Sequence, residues 1–198
     1  MIDLTWPAEA TTTLDTTLPT QTVIERCLAG EERAYLLLYK QYAATLYRLV
    51  YSMLQHREDA EEVVQDSFEY AFRTLHRYDP NKSAFKTWLY TIAVSRCRNK
   101  RRRKWLPTFG LDLAANKADS SQPQPDELVA LTEKQQQVWQ ALQTLSPKLR
   151  ETAVLRYYEN LTYAEIGEIL DIPTKTAESR MRLAHNALRE QLGEVVDS

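Results

Sequence analysis

Residues 96–104 read RCRNKRRRK, with Lys or Arg at seven of nine positions, in a 198-residue chain whose formal net charge is −2. Cations at this density grip a polyanion, and their contacts with phosphates fix position without reading sequence. A second polar set lies further on: Lys175, Thr176, Glu178, Ser179, Arg180 and Arg182 fall within eight positions. Such a mixture suits the base edges of a duplex, where arginine donates to guanine and a carboxylate accepts from the cytosine amino group. Bond-making chemistry has no comparable constellation. His56, His76 and His185 stand in unrelated contexts, no phosphate-cradling glycine loop or HExxH occurs, and Cys27 and Cys97 lack CxxC spacing. The sequence predicts a binding protein, not an enzyme, with no metal or cofactor.

The elements that must carry these residues are helices. Four glycines and eight prolines in 198 residues leave little punctuation, and apolar side chains recur at helical spacing. Over 21–56 the apolar positions Val23, Ile24, Cys27, Leu28, Leu36, Leu46, Leu49, Val50 and Met53 predict two helices separated at Gly30. Ala60, Val64, Phe68, Ala71 and Leu75 predict one face of a third helix over 57–77. Asp79-Pro80-Asn81 marks a turn, and a fourth helix over 84–104 turns Trp88, Leu89, Ile92 and Ala93 inward. Residues 106–127 lose periodicity and carry Pro107, Gly110, Pro123 and Pro125. The fold expected is all-α: two small helical domains joined by a flexible linker. The divisions are a disordered tail over 1–20, a first domain over 21–105, a linker over 106–127 and a second domain over 128–198.

Within the second domain, LTYAEIGEILDIPTKTAESRMRLAHNAL reads as two helices around a tight break. Thr162 and Glu165 have capping-box spacing, and Ile166, Ile169 and Leu170 form an inward face. Asp171-Ile172-Pro173 ends that helix. Ala177, Met181, Ala184 and Leu188 then point inward from the next, which turns Lys175, Thr176, Glu178, Ser179 and Arg182 outward. This is the pattern of a helix-turn-helix, whose second helix enters the major groove.

DAEEVVQDSFEYAFRTL and SAFKTWLYTIAVSRCRN resemble region two of bacterial RNA polymerase sigma factors, in particular the extracytoplasmic-function (ECF) group. LSPKLRETAVLRYYENLTYAEIGEILDIPTKTAESRMRLAHNAL resembles their region four. The resemblance covers nearly all of 21–192 in the same order. It implies an alternative sigma factor that binds core polymerase, recognises the minus-ten and minus-thirty-five promoter elements and promotes DNA opening. Asp59, Glu62, Gln65, Asp66 and Glu69 would dock on the coiled coil of the largest polymerase subunit, and the second domain would meet the flap. The acidic members step along the third helix opposite its apolar face. Phe85 and the aromatic surface around Trp88 and Tyr90 would hold an extruded base. Ser95 and Asn99 would contact bases of the minus-ten element, Ser95 standing where a relative carries Asn. Arg96, Arg98, Lys100, Arg101, Arg102, Arg103 and Lys104 would clamp phosphates beside it.

In the second domain, Lys175, Thr176, Glu178, Ser179 and Arg182 would face the minus-thirty-five element, with Arg180 on a phosphate. Glu178 stands where the family pattern carries Lys or Arg, which implies a shifted promoter preference. The acidic linker, with Asp112, Asp119, Asp126 and Glu127, has a family counterpart that threads the polymerase's RNA path. Partners implied are core RNA polymerase, promoter DNA and an anti-sigma factor, with no insertion of the chain into a membrane. The absence of a basic leader and of a long apolar run leads to the expectation of a cytoplasmic protein. A self-sufficient repressor is the rival binding class, and it would footprint duplex DNA unaided.

Overall fold

A computed structural model describes residues 18–105, 140–157 and 159–192. Its elements are α1 (Thr20–Leu28), α2 (Glu32–Leu54), α3 (Arg57–Arg73), a 3-10 turn (Leu75–Arg77), α4 (Phe85–Trp105), α5 (Pro147–Tyr157), α6 (Tyr163–Leu170) and α7 (Thr174–Leu192). Residues 140–144 are also helical. No strand occurs among the described residues, so the all-α expectation stands. Of the tail expected over 1–20, residues 1–17 lie outside the described residues and Thr20 already begins α1; the linker expected over 106–127 lies outside them too. Residues up to Gln41 and residues from Tyr42 form two compact units, the division falling inside α2.

In the first unit, Gly30 adopts φ +87°, a left-handed backbone that costs glycine nothing. It separates α1 from α2 where the sequence placed the break. Val23, Ile24 and Cys27 of α1 are buried, as are Ala34, Leu37 and Leu38 of α2. The Tyr35 hydroxyl donates to the Cys27 carbonyl at 2.9 Å, and the Gln41 amide donates to the Leu18 carbonyl at 2.9 Å.

In the second unit, α3 packs against α4. Every apolar position expected on α3 is buried: Ala60, Val64, Phe68 and Ala71, and Leu75 just beyond. The α-helix itself ends at Arg73, short of the expected 77, because Thr74 leaves the helical region at φ −107°. Its hydroxyl donates back to the Tyr70 carbonyl at 2.7 Å, a local bond that competes with helix propagation. On α4, Leu89, Tyr90, Ala93, Val94 and Cys97 are buried, whereas Trp88 and Ile92 are half-buried.

The C-terminal helices α5, α6 and α7 pack on one another, and α6 also packs against α4. The Arg150 guanidinium donates to the carbonyls of Leu142 at 2.9 Å, Gln143 at 2.5 Å and Leu145 at 3.1 Å. It thereby satisfies acceptors that a helix end leaves without partners. At the start of α6 both halves of the capping box form. Glu165 N–H donates to the Thr162 hydroxyl at 3.3 Å, and the Glu165 carboxylate accepts from Thr162 N–H at 2.8 Å. Asp171 closes α6 in the left-handed region at φ 54°. The turn is tight because Gly167 has no side chain: a Cβ there would lie 2.8 Å from the Ile172 carbonyl oxygen. Since that obstacle is backbone, Gly167→Ala should destabilise the C-terminal helices by about 1–3 kcal/mol. Urea denaturation of the full chain followed by far-UV circular dichroism measures the shift.

Candidate nucleic-acid interface

Successive residues of an α-helix lie about 100° apart, so a basic run on α4 cannot face one way. Its side chains divide among three faces. Ser95, Asn99, Arg102 and Arg103 are exposed, and their spacing of 4, 3 and 1 keeps them on one edge. Arg96 and Lys100 turn toward α3. Arg98 and Arg101 turn toward the C-terminal helices. Cys97 lies between the last two faces and is fully buried. The Lys104 side chain lies outside the described residues.

The α3-facing cations meet the acids expected to dock polymerase. Lys100 Nζ reaches Asp59 at 3.4 Å and pairs closely with Glu62, while Arg96 lies 3.8 Å from Asp66. The acidic stripe is therefore not simply opposite the apolar face. Asp59 is 8% exposed and sits in the seam between α3 and α4, where a carboxylate is retained because Lys100 neutralises it. Glu62, Gln65, Asp66 and Glu69 are exposed, Glu62 and Asp66 sharing the cations of α4. The Lys100 ammonium feels burial, which lowers its pKa, but bonding to Glu62 and the charges of Asp59 and Glu62 outweigh that and raise it.

The third face is the unanticipated one. Glu151 of α5 is 2% exposed. Its carboxylate accepts from Arg98 Nε at 3.2 Å and Nη2 at 2.9 Å, and pairs with Arg101 through the other oxygen. Arg98 Nη1 also donates to the Leu170 carbonyl at 3.1 Å, at the end of α6. Nearer the start of α4, Lys86 Nζ lies 2.7 Å from Glu159, whose side chain is 6% exposed. Nothing in the one-dimensional pattern marks Glu151 or Glu159, since each resembles any helix-associated glutamate until the chain folds.

The aromatic set is also rearranged. Phe85, expected on the surface, is 3% exposed. It packs against Tyr42 at 5.2 Å, Tyr78 at 5.5 Å and Trp88 at 5.7 Å between ring centroids. Tyr90 is likewise fully buried. Apolar burial of large rings outweighs their display here, so the half-buried Trp88 and Tyr78 form the accessible edge of the cluster. The preceding loop is fixed by the Asp79 carboxylate, which accepts from Asn81 N–H at 3.0 Å. That backbone hydrogen bond holds the Asp79 carboxyl below its ordinary pKa.

On α7, Lys175, Glu178, Ser179 and Arg182 are exposed on one side. Ala177, Met181, Ala184 and Leu188 are buried on the other, as expected. Thr176 and Arg180 are half-buried, so Thr176 is less outward than its spacing indicated. The helix pair thus presents a polar face backed by an apolar one, an arrangement that major-groove readers use.

This pairing of a basic, aromatic-flanked helix with a helix-turn-helix is matched by known proteins. Residues 38–106 match the family model for Sigma-70 region 2, and residues 135–188 match that for Sigma-70, region 4. The chain is 32% identical over 178 residues to the ECF RNA polymerase sigma factor SigW of Bacillus subtilis, covering 85% of this chain and 94% of that protein. It is 31% identical over 179 residues to the ECF RNA polymerase sigma-E factor of Escherichia coli K12, covering 86% and 93%. Among solved structures, CnrH in complex with the cytosolic domain of CnrY is similar in fold, with TM-score 0.65 and 22% identity over 87% of this chain and 96% of that one. The sigma factor RpoE from Bartonella quintana, solved with the anti-sigma factor NepR, gives TM-score 0.57 and 24% identity over 78% and 93%. The chain belongs to the ECF family of RNA polymerase sigma factors. As such it binds core RNA polymerase, recognises promoter DNA and serves transcription initiation.

The Lys100 seam gives a pH signature. Its raised pKa means that stabilisation is full below the unfolded-state value of about 10.4 and is lost only as pH climbs through the higher folded-state value. Chemical denaturation between about pH 8 and about pH 11.5 should therefore show a steeper alkaline loss of stability in the wild type than in Lys100→Met.

Proposed function

We propose that residues 21–105 form the module that docks on core polymerase and engages the minus-ten element, and that residues 128–198 read the minus-thirty-five element across the 106–127 linker. The observation that carries this division is the open edge of α4, where Ser95, Asn99, Arg102 and Arg103 line up and are exposed. Two polar side chains followed by two guanidiniums suit base contacts beside a phosphate clamp. Arg96, Arg98, Lys100 and Arg101 extend that clamp when their intramolecular acids are exchanged for phosphates. Trp88 and Tyr78 flank the edge as the stacking surface for an extruded base, with Phe85 supporting them from beneath. Glu62, Gln65, Asp66 and Glu69 face the polymerase coiled coil, where opposite charges steer the encounter and set register. Asp59 acts by holding Lys100.

On α7, Glu178, Ser179 and Arg182 read bases, with Lys175, Thr176 and Arg180 fixing the backbone. The chain performs no catalysis of its own; the polymerase supplies it. No helix among the described residues is long and apolar enough to cross a membrane, which accords with action at the nucleoid in the cytoplasm. An anti-sigma factor is the natural regulator, given the complexes in which similar folds were solved.

Run-off transcription with purified core polymerase tests the whole reading: transcripts should appear only when this chain is added, and a duplex footprint without polymerase would favour a repressor. Arg102→Ala with Arg103→Ala should weaken promoter binding by about tenfold and flatten its salt dependence. A randomised minus-thirty-five selection should return a different preferred base opposite position 178 for Glu178→Arg than for the wild type, at a cost of about 1–3 kcal/mol for the mismatched base; identical motifs would remove Glu178 from base reading.

A further inference from the structure

The loop between the 3-10 turn and α4 is tied both to itself and to the aromatic cluster. The Tyr78 hydroxyl donates to the Ser83 carbonyl at 3.1 Å and so bridges the two ends of the loop. Inside that bridge the Asp79 carboxylate accepts from Asn81 N–H at 3.0 Å and from Asn81 Nδ2 at 3.2 Å. The Asp79 carbonyl accepts from Lys82 N–H at 3.1 Å. The Tyr78 ring stands edge-on to Phe85 at 5.5 Å and lies 5.5 Å from Trp88. One side chain therefore holds the loop by its hydroxyl and the cluster by its ring. Yet Pro80, Asn81, Lys82 and Ala84 are exposed, so the ordered loop adds little to the core. Fixing backbone that buries nothing costs conformational entropy, and such order is useful where a ligand must find a shaped surface.

We propose that Tyr78 is a positioning residue for the extruded base: its hydroxyl holds residues 79–83 in one shape, so that the loop and the Trp88 edge form a wall before DNA arrives. This rests on the assignment of the Tyr78 and Trp88 edge as the surface that receives that base. A site ordered in advance spares the incoming base the entropy of ordering it. That saving matters because unstacking already costs a few kcal/mol. The hydroxyl must stay protonated to donate, and burial raises the Tyr78 pKa above its ordinary value, so the bridge persists at neutral pH. Tyr78→Phe keeps the ring among Phe85 and Trp88 and removes only the donor.

The test uses the full chain assembled with core RNA polymerase on forked promoter DNA. Abasic sites scanned through the minus-ten element with the wild type first locate the extruded base, as the position where its loss weakens binding most. Against DNA carrying that base, Tyr78→Phe should bind about fivefold more weakly than the wild type, the worth of one net hydrogen bond. Against DNA abasic at that position the two should bind alike, because nothing enters the wall. Asp79→Ala, which removes the second tie, should show the same base-dependent loss, and circular dichroism checks that each variant is folded. Equal affinity of folded Tyr78→Phe and wild type for the base-bearing DNA overturns the proposal. An equal loss on both DNAs overturns it too, since the hydroxyl would then serve the fold and not the base. A scan in which no abasic position weakens the wild type refutes the underlying assignment of the edge. A wild type that shows such a position, with Tyr78→Phe unaffected by it, refutes the positioning role alone.

Discussion

A helix that places seven cations in nine positions must aim them all around its axis, and the rest of the described architecture answers that constraint. α3 supplies Asp59, Glu62 and Asp66 along one side of α4, and α5 supplies Glu151 along another. Without those acids, adjacent guanidiniums would repel one another in partly desolvated positions, where the cost exceeds that of a solvated surface. What faces solvent after these pairings is a narrow edge of two polar and two basic residues. Much of the positive charge that stands out in the sequence is therefore paired with acids of the same chain.

The parts legible in advance were those whose cause is local. Helical periodicity located the core positions of α3 and α7, the glycine break located the end of α1, and the spacing of Thr162 and Glu165 announced a capping box that forms. The resemblance to region two and region four supplied the family. What escaped was tertiary. Glu151 lies about 50 positions from the arginines it neutralises, and no window along the chain brings them together. Phe85 resembled a surface aromatic because it opens a helix after a polar loop, yet Tyr42, more than 40 positions earlier, closes over it. Asp59 looked like one more member of an acidic stripe because periodicity reports a direction on α3 and says nothing about the neighbour in that direction.

The two surfaces proposed to face DNA differ in how they are built. On α7 the polar residues project from a helix whose other side is locked into an apolar core, so their directions are set by packing alone. Gly167 and Asp171 hold the approach of the preceding helix by backbone geometry, one by lacking a side chain and the other by accepting a left-handed conformation. On α4, directions are set by ion pairs, which respond to competing anions and to salt in a way that methyl packing does not. In the roles proposed for them, a rigid reader on α7 and an adjustable clamp on α4 suit a protein that must hold one stretch of duplex intact while another is separated.

Cys97 lies on α4 between the faces that meet α3 and the C-terminal helices. Burial pushes its thiol up to about 12, so at neutral pH the nucleophilic thiolate is almost absent. Peroxides and alkylating agents act on thiolate, and burial together with the raised pKa leaves little of it here. The sulfur is in effect a small apolar filler, packed where α4 meets α3 and the C-terminal helices.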